Sequence, residues 1–170
     1  KKRKFLLGVT KFCGVAGVVC AAYPVVQSMG PNHLDLQPLD VDISTLELGQ
    51  RMTVAFKGNP VFIWHRTSDQ IEEAEMMDEY LDELPDPERD SDRVLNRRFL
   101  VVTGVCTHLG CVPLGQVGST LGDFLGYFCP CHGSHFDTSG RVRKGPAPTN
   151  LEVPEYEFIN DTTIRLKVMS

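Results

Sequence analysis

The chain has 170 residues, of which 42% are hydrophobic and 23% charged, so its composition is that of a folded protein and excludes a disordered or fibrous one. The formal net charge is −5, and removing the five basic residues at positions 1, 2, 3, 4 and 11 leaves the rest at −10, from 12 basic and 22 acidic residues. Such an acidic body lacks the basic face that nucleic acid requires, which excludes nucleic acid as a partner and favours docking on a basic protein.

An almost uncharged segment follows the basic start, from Phe12 to Met29. Its length is that of a helix that crosses a bilayer, so residues 1–29 are predicted to be a basic N-terminus and a single transmembrane anchor. The alternative is a cleaved secretory signal, but the apolar run is long and no convincing small-residue cleavage site ends it. Basic residues before the run and acidic sequence after it place the body on the periplasmic side of a bacterial membrane, or the equivalent side of an organelle inner membrane.

Two further features lie in this segment. The first residues resemble a twin-arginine export signal in which Lys2 replaces the first arginine and Arg3 keeps the second. That resemblance implies export of a protein that folds around its cofactor before it crosses the membrane. Cys13 and Cys20 are most simply interpreted as small apolar residues on a helix surface.

Glycine and proline interrupt the sequence after the anchor, so residues 30–42 are predicted to be a flexible tether. Beyond it, two short β-type runs at residues 53–56 and 61–64 flank the turn-forming residues 57–60. This arrangement predicts a β-hairpin.

The period changes to that of a helix over residues 67–84. Thr67 and Gln70 form a predicted capping box, and Pro85 is expected to end the helix. Apolar residues recur along one predicted helix face, at Ile71, Ala74, Met77, Leu81 and Leu84. The many acidic residues are interpreted as a solvated outer face.

Buried-type strands follow at residues 99–102, 156–159 and 164–168. The last two are predicted to pair as a closing hairpin. Residues 43–170 are therefore predicted to be a mainly β head of small antiparallel sheets with one helical insertion.

Two short boxes carry most of the chemical information. They read Cys106-Thr107-His108-Leu109-Gly110-Cys111 and Cys129-Pro130-Cys131-His132-Gly133-Ser134, and 17 residues separate them. Each box contains two cysteines and one histidine. Thiolate and imidazole together favour zinc or iron–sulfur chemistry over hard cations such as calcium or magnesium.

A structural zinc site is the simplest alternative for any cluster of cysteine and histidine. Zinc sites usually pair Cys-x₂-Cys with His-x₃-His or with a second Cys-x₂-Cys, whereas here Cys-x-His faces Cys-x₂-His and each box has an additional cysteine. This pattern resembles the Rieske iron–sulfur family, whose motifs C-T-H-L-G-C and C-P-C-H-G-S both occur in order.

The resemblance implies one [2Fe–2S] cluster of the Rieske type, with Cys106 and Cys129 on one iron and His108 and His132 on the other. Neutral imidazoles in place of two thiolates reduce the negative charge of the cluster and raise its reduction potential. The exposed ring nitrogens also allow reduction to be coupled to protonation in the pH range where imidazole titrates.

The same resemblance implies a disulfide between Cys111 and Cys131, which indicates maturation in an oxidising compartment. Soluble Rieske ferredoxins and the Rieske domains of ring-hydroxylating oxygenases generally lack this pair and the membrane anchor. Residues 145–151 look like the proline loop that covers the cluster from a third side, although such a sequence by itself indicates only a stiff turn. The cluster-binding subdomain is expected over about residues 103–150.

Over essentially its whole length the chain resembles the Rieske subunits of cytochrome bc complexes, which are proton-translocating quinol–cytochrome c oxidoreductases of respiratory chains. This implies that it oxidises ubiquinol by one electron with proton release and delivers the electron to a membrane-bound c-type cytochrome. The implied partners are the b-type and c-type cytochrome subunits, membrane lipid and a second copy of the complex. The alternative is a Rieske subunit of another membrane oxidoreductase.

By the same resemblance His132 and His108 are the catalytic residues, and the quinol hydrogen-bonds His132. Leu109, Gly110 and Pro146 are expected to form the apolar docking tip beside it. The tether is expected to let the head move between its two redox partners.

Two residues near the second box bear on the potential of the cluster. The resemblance places the Ser134 hydroxyl at a bridging sulfide. High-potential members of the family have a tyrosine where this chain has Phe136, so one donor to a ligand cysteine is missing. If that bond favours the reduced cluster by about 1 kcal/mol, its absence lowers the potential by roughly 40–60 mV.

Arg141, Arg143 and Lys144 are interpreted as surface charge.

Overall fold

The computed structural model describes residues 2–30, 37–115 and 124–168. The N-terminal unit contains α1, Lys2–Ser28, a continuous helix of 27 residues. At 1.5 Å per residue it is about 40 Å long, enough to cross the hydrocarbon core of a bilayer. Within the described residues, α1 has the length and the apolar composition that suit a membrane span, as predicted. Residues 31–36 of the predicted tether lie outside the described residues.

The head consists of three antiparallel sheets, which confirms the predicted fold class. The central sheet has the order β2-β3-β4, formed by Arg51–Phe56, Asn59–His65 and Phe99–Thr103. The second has the order β1-β10-β9, formed by Leu39–Asp42, Thr163–Leu166 and Tyr156–Asn160. The third has the order β5-β6-β7-β8, formed by Leu114–Gly115, Tyr127–Cys129, Ser134–Phe136 and Val142–Lys144.

The central sheet contributes to two cores because successive side chains of a strand point to opposite faces. From β3, Phe62 and Trp64 join a core that includes residues of the third sheet, while Val61 and Ile63 join a core that includes the second sheet. Every residue of β4 is consequently buried. This arrangement explains the uninterrupted apolar run predicted as a buried strand.

The hairpin between β2 and β3 turns more tightly than predicted. Lys57 and Gly58 alone form the turn, with φ of 50° and 74°. Two consecutive residues with positive φ are typical of a two-residue hairpin turn whose twist matches that of the strands. Asn59 and Pro60, which were predicted to belong to the turn, are therefore the first residues of β3.

The end of the predicted tether is also corrected. Residues 39–42 form β1, which pairs with β10 in the second sheet. Val41 is buried there, and Asp40 forms an exposed ion pair with Arg165 at 2.6 Å. A strand of four residues that alternates with aspartate is too short to be recognised before its partner strand is known.

The helical insertion begins as predicted and ends differently. The Thr67 side chain accepts from the Gln70 N–H, and the Gln70 side chain accepts from the Thr67 N–H. The helix α2, Ser68–Met76, continues into a 3₁₀ helix, Met77–Glu83, with a kink at Tyr80. The predicted single helix over 67–84 is thus two helical segments.

The inner face of the insertion follows the predicted pattern. Ile71, Ala74 and Leu84 are buried, and Leu84 is extended immediately before Pro85. A third short helix, α3, Asp90–Arg93, follows.

Two of the insertion's acids differ from the predicted solvated face. Glu73 accepts a hydrogen bond from the Thr138 hydroxyl at 2.6 Å, and Asp78 pairs with Arg141 at 2.7 Å. These carboxylates turn inward because the segment that follows the second box supplies their partners.

Candidate metal centre

The two boxes form loops that are closed in the same way. In the first loop, which follows β4, the Gly110 N–H donates to the Cys106 carbonyl at 2.9 Å. In the second, which joins β6 to β7, the Gly133 N–H donates to the Cys129 carbonyl at 3.0 Å. Both glycines have positive φ, 80° and 76°. A further bond from the Cys106 N–H to the Cys111 carbonyl, at 2.8 Å, closes the base of the first loop.

The structure brings the four side chains that were predicted as ligands together in two pairs, one of cysteines and one of histidines. Cys106 and Cys129 are buried free thiols. The rings of His108 and His132 meet edge to face with centroids 4.6 Å apart. The buried Nδ1 of His108 has no hydrogen-bond partner within the described ranges. A buried nitrogen without a partner is costly unless something else, such as a metal, uses its lone pair.

The environment of Cys129 also suits a metal-bound thiolate. Burial raises the pKa of the Cys129 thiol, and the neighbouring Cys106 raises it further. The N–H groups of Cys131 and His132 donate to the Cys129 sulfur and lower that pKa. Two adjacent thiolates repel each other in a buried place, whereas a shared cationic metal centre stabilises both.

Cys111 and Cys131 form a disulfide that joins the loops, with their Cα atoms 6.7 Å apart, as predicted. The sulfurs of Cys111, Cys129 and Cys131 lie within 4.8 Å of one another, but two of them are in the disulfide and cannot bind a metal as thiolates. In the described part of the head, Cys106 and Cys129 are therefore the thiols available as ligands.

The proline loop contacts both cluster loops. The Thr107 hydroxyl donates to the Thr149 carbonyl at 2.7 Å, and the Ala147 N–H donates to the Ser134 Oγ at 3.1 Å. Ser134 is fully buried. Because its oxygen accepts from Ala147, its own O–H remains available to donate to a neighbouring acceptor.

Gly145 begins the proline loop at the closest approach to the second cluster loop. Its φ is 97°, and a Cβ placed there would lie 2.5 Å from the Gly133 carbonyl oxygen. Glycine is required at position 145 because any other residue would be strained at this positive φ and its Cβ would clash with the Gly133 carbonyl oxygen.

The tip of the head is apolar and exposed. Leu109 is 71% exposed, and Gly110, His132 and Pro146 are exposed as well. The residues predicted to contact quinol thus lie at the surface of their loops.

His135, three residues after His132, has a different environment. Its ring packs against Phe124 and Phe128, with centroids 5.9 and 4.9 Å away. Its Nδ1 is also buried without a partner in the described parts of the chain. Because its neighbours are phenylalanine rings rather than the thiols and the other imidazoles, we do not assign it as a ligand.

The interpretation of Arg141 as surface charge was wrong. Its side chain is 0% exposed, and its Nε contacts Asp137 at 2.8 Å. Its remaining nitrogens contact Asp78 at 2.7 Å and the Ala74 carbonyl at 2.9 Å. Arg143, which was interpreted in the same way, is largely buried and lies 3.6 Å from Asp137. The composition of the segment gives no signal that separates these two arginines from the exposed Lys144.

Comparisons with known proteins agree with this geometry. A family model described as the Rieske [2Fe-2S] domain matches residues 39–157. The ubiquinol-cytochrome c reductase iron-sulfur subunit of Rhodospirillum rubrum is 49% identical over 166 residues, covering 96% of this chain and 90% of that protein. The mitochondrial cytochrome b-c1 complex subunit Rieske of Saccharomyces cerevisiae is 44% identical over 162 residues, covering 94% and 73%.

A solved structure titled "Hyperthermophilic respiratory Complex III" shares the fold, with a TM-score of 0.52 and 23% identity over 93% of this chain and 97% of that one. The donor set of two buried thiols and two adjoining imidazoles fits the cofactor of the matched domain. The chain therefore belongs to the Rieske [2Fe–2S] family, among the iron–sulfur subunits of ubiquinol–cytochrome c reductase.

Proposed function

We propose that this chain is the electron-transfer subunit of a quinol–cytochrome c oxidoreductase. It takes one electron from ubiquinol and passes it to a membrane-bound c-type cytochrome, while a b-type cytochrome of the same complex takes the second. One observation carries the proposal. Two loops with the same closure pair two buried thiols with each other and two imidazoles with each other, in a chain similar over nearly its full length to subunits of that enzyme.

In this proposal Cys106 and Cys129 hold one iron, and His108 and His132 hold the other. The unpartnered Nδ1 of His108 and the N–H donors around the Cys129 sulfur support this division. When bound, the Rieske cluster supplies a one-electron acceptor of raised potential, because imidazoles replace two thiolates.

The exposed His132 receives the substrate. With its other nitrogen on the iron, the outer ring nitrogen would, once deprotonated, accept a hydrogen bond from the quinol hydroxyl and then hold the proton as the electron leaves the quinol. Leu109, Gly110 and Pro146 surround this nitrogen with an apolar surface that excludes water and orients the quinol ring.

The inner side of the site is formed by the buried Ser134 and by the disulfide between the two loops. The Ser134 hydroxyl, whose oxygen accepts from the Ala147 N–H, would donate to a sulfur of the bound cluster. The disulfide between Cys111 and Cys131 holds the two loops in register. Hydrogen bonds to cluster sulfurs raise the potential because they favour the more negative, reduced form.

The domain organisation follows from this role. Residues 1–29 anchor the chain in the membrane, residues 30–38 act as the tether, and residues 39–170 form the head, with the cluster-binding subdomain over about 103–150. The head lies on the periplasmic side, because the basic residues precede the membrane span. The complete assembly contains the two cytochromes, contacts lipid and is dimeric.

The proposal is tested on the full chain in its membrane. Reduction with ascorbate is expected to produce a low-temperature electron paramagnetic resonance signal with nitrogen couplings from two histidines. Replacing His108 or His132 by serine is expected to abolish that signal and ubiquinol–cytochrome c turnover, whereas His135→Asn retains both. A colourless protein without a paramagnetic reduced state would instead indicate structural zinc and contradict the proposal.

A further inference from the structure

The far end of the proline loop is held by residues that the function described above does not use. Asn150 is 5% exposed, and its backbone N–H donates to an Asp86 carboxylate oxygen at 2.8 Å. Its side-chain amide donates to the Asp86 carbonyl at 3.1 Å and to Glu88 at 3.2 Å. Its side-chain oxygen accepts from the Val142 N–H at 2.9 Å. Asn150 thus joins the proline loop to both the helical insertion and β8.

Arg93 completes this attachment from α3. The side chain is 3% exposed and forms an ion pair with Glu88. Its Nε donates to the Ser139 carbonyl at 2.7 Å, and its Nη2 donates to the Leu151 carbonyl at 2.5 Å. One planar guanidinium therefore connects the turn after the second cluster loop with the end of the proline loop.

Both attachments lie a few residues from contacts at the metal site. Asn150 directly follows Thr149, whose carbonyl accepts from Thr107 in the first cluster loop. Ala147, three residues before Asn150, donates to Ser134 in the second. A displacement of the proline loop would remove the N–H that occupies the Ser134 oxygen, and the hydroxyl would then be free to reorient.

Volume alone does not account for a buried arginine at this place. Taking a guanidinium out of water carries a desolvation cost, and apolar residues of similar size often stabilise a core equally well. The planar fork of arginine does what an apolar residue cannot, because it holds two carbonyls of separate segments at a set distance.

We propose that Arg93 and Asn150 are positioning residues of the redox site. Together with Asp86 and Glu88 they form a clamp that holds the proline loop against the cluster loops, so that the Ser134 hydroxyl is directed at the cluster. This inference rests on the proposed function for its main readout, the midpoint potential.

The test is a redox titration, followed by paramagnetic resonance, of the full chain in its membrane. Arg93→Lys keeps the charge but cannot bridge the two carbonyls. The matched control is Arg97→Lys, because the Arg97 side chain is 63% exposed and the one partner described for that side chain is the exposed Glu75. We expect Arg93→Lys to lower the equilibrium constant for reduction threefold to tenfold, which is about 30–60 mV for one electron, and Arg97→Lys to leave it unchanged.

A double-mutant cycle separates positioning from a purely structural role. If the clamp acts through the serine, Arg93→Lys lowers the potential much less in a Ser134→Ala background than in the parent. Additive shifts of the midpoint potential in the double variant would overturn the proposal. So would an Arg93→Lys protein that holds its cluster and has the midpoint potential of the parent.

Asn150→Ser is the second variant if Arg93→Lys fails to hold a cluster, because it removes the amide donors to Asp86 and Glu88 and leaves the arginine in place. Loss of cluster in both variants, while Arg97→Lys loads normally, would show a folding role and reject the clamp.

Hydrogen exchange provides a readout that needs no cluster. We expect faster exchange in peptides covering residues 142–151 in Arg93→Lys than in Arg97→Lys, and equal exchange would contradict the clamp. Absence of the Rieske signal from the parent itself would defeat the proposed function, and the exchange comparison would still decide whether the clamp exists.

Discussion

Replacing Arg141 by methionine removes the centre of a buried ion-pair network while keeping an unbranched side chain. The guanidinium is fully buried and contacts Asp137, Asp78 and the Ala74 carbonyl. After the change Asp137 keeps the N–H groups of Ser139 and residue 141, both at 2.9 Å, but its charge has lost its main partner. The buried carboxylate is therefore left undercompensated.

Removing one partner of a buried ion pair typically costs about 3–5 kcal/mol. Arg143, whose Nη1 lies 3.6 Å from Asp137, offers partial compensation, so we expect the lower end, about 3 kcal/mol. With an unfolding entropy of about 2.1 cal/mol/K per residue over a head of this size, that loss lowers the unfolding midpoint by about 10 °C.

The assay is thermal unfolding of the full chain in detergent, followed by circular dichroism. Arg97→Met is the matched control, because the Arg97–Glu75 pair is exposed, and its midpoint should fall by no more than about 2 °C. Adding Asp137→Asn to Arg141→Met removes the stranded charge and should restore part of the loss. A midpoint for Arg141→Met equal to that of Arg97→Met would refute the reasoning.

Three further predictions concern the site and its support. Phe136 is fully buried in the same core as Cys106 and Cys129, so Phe136→Tyr should raise the midpoint potential by roughly 40–60 mV in a redox titration, and an unchanged or lower value rejects the missing-donor argument. The double change of Cys111 and Cys131 to serine removes a disulfide between residues 20 apart in the sequence and should destabilise the head by about 3 kcal/mol. The expected result is a faster loss of visible absorbance on heating, and a loss as slow as that of the parent contradicts this prediction. Burial raises the pKa of Glu73, so its contribution to stability is present at low pH and lost as pH rises through the raised value. Glu73→Gln should match the parent below about pH 4 and exceed its stability at neutral pH, and denaturant titrations showing a constant difference would disprove it.

The helical insertion connects these predictions with the redox site. Its acids and arginines meet the turn after the second cluster loop and the end of the proline loop rather than solvent alone. The helical insertion, which carries much of the acidic charge of the head, therefore also holds the turn after the second cluster loop and the end of the proline loop in place.

The sequence by itself determined the features whose parts lie close together along the chain. Each box contains its cysteines, histidine and turn glycine within six residues, so ligand types and loop closure are readable before any fold is known. The capping box at Thr67 and the extended backbone of Leu84 before Pro85 are local in the same sense. Backbone sterics and hydrogen bonds between near neighbours decide such features.

Only the tertiary structure decided which charges are buried and what holds the proline loop. Arg141 and Asp78 are 63 residues apart in sequence, and Asn150 and Asp86 are 64 apart. A buried charge is stable only beside a partner, and the partner's arrival depends on how separate segments meet. Residue type and local period are the same for a solvated arginine and a buried one, so Arg141 becomes distinguishable only when the fold supplies its carboxylates.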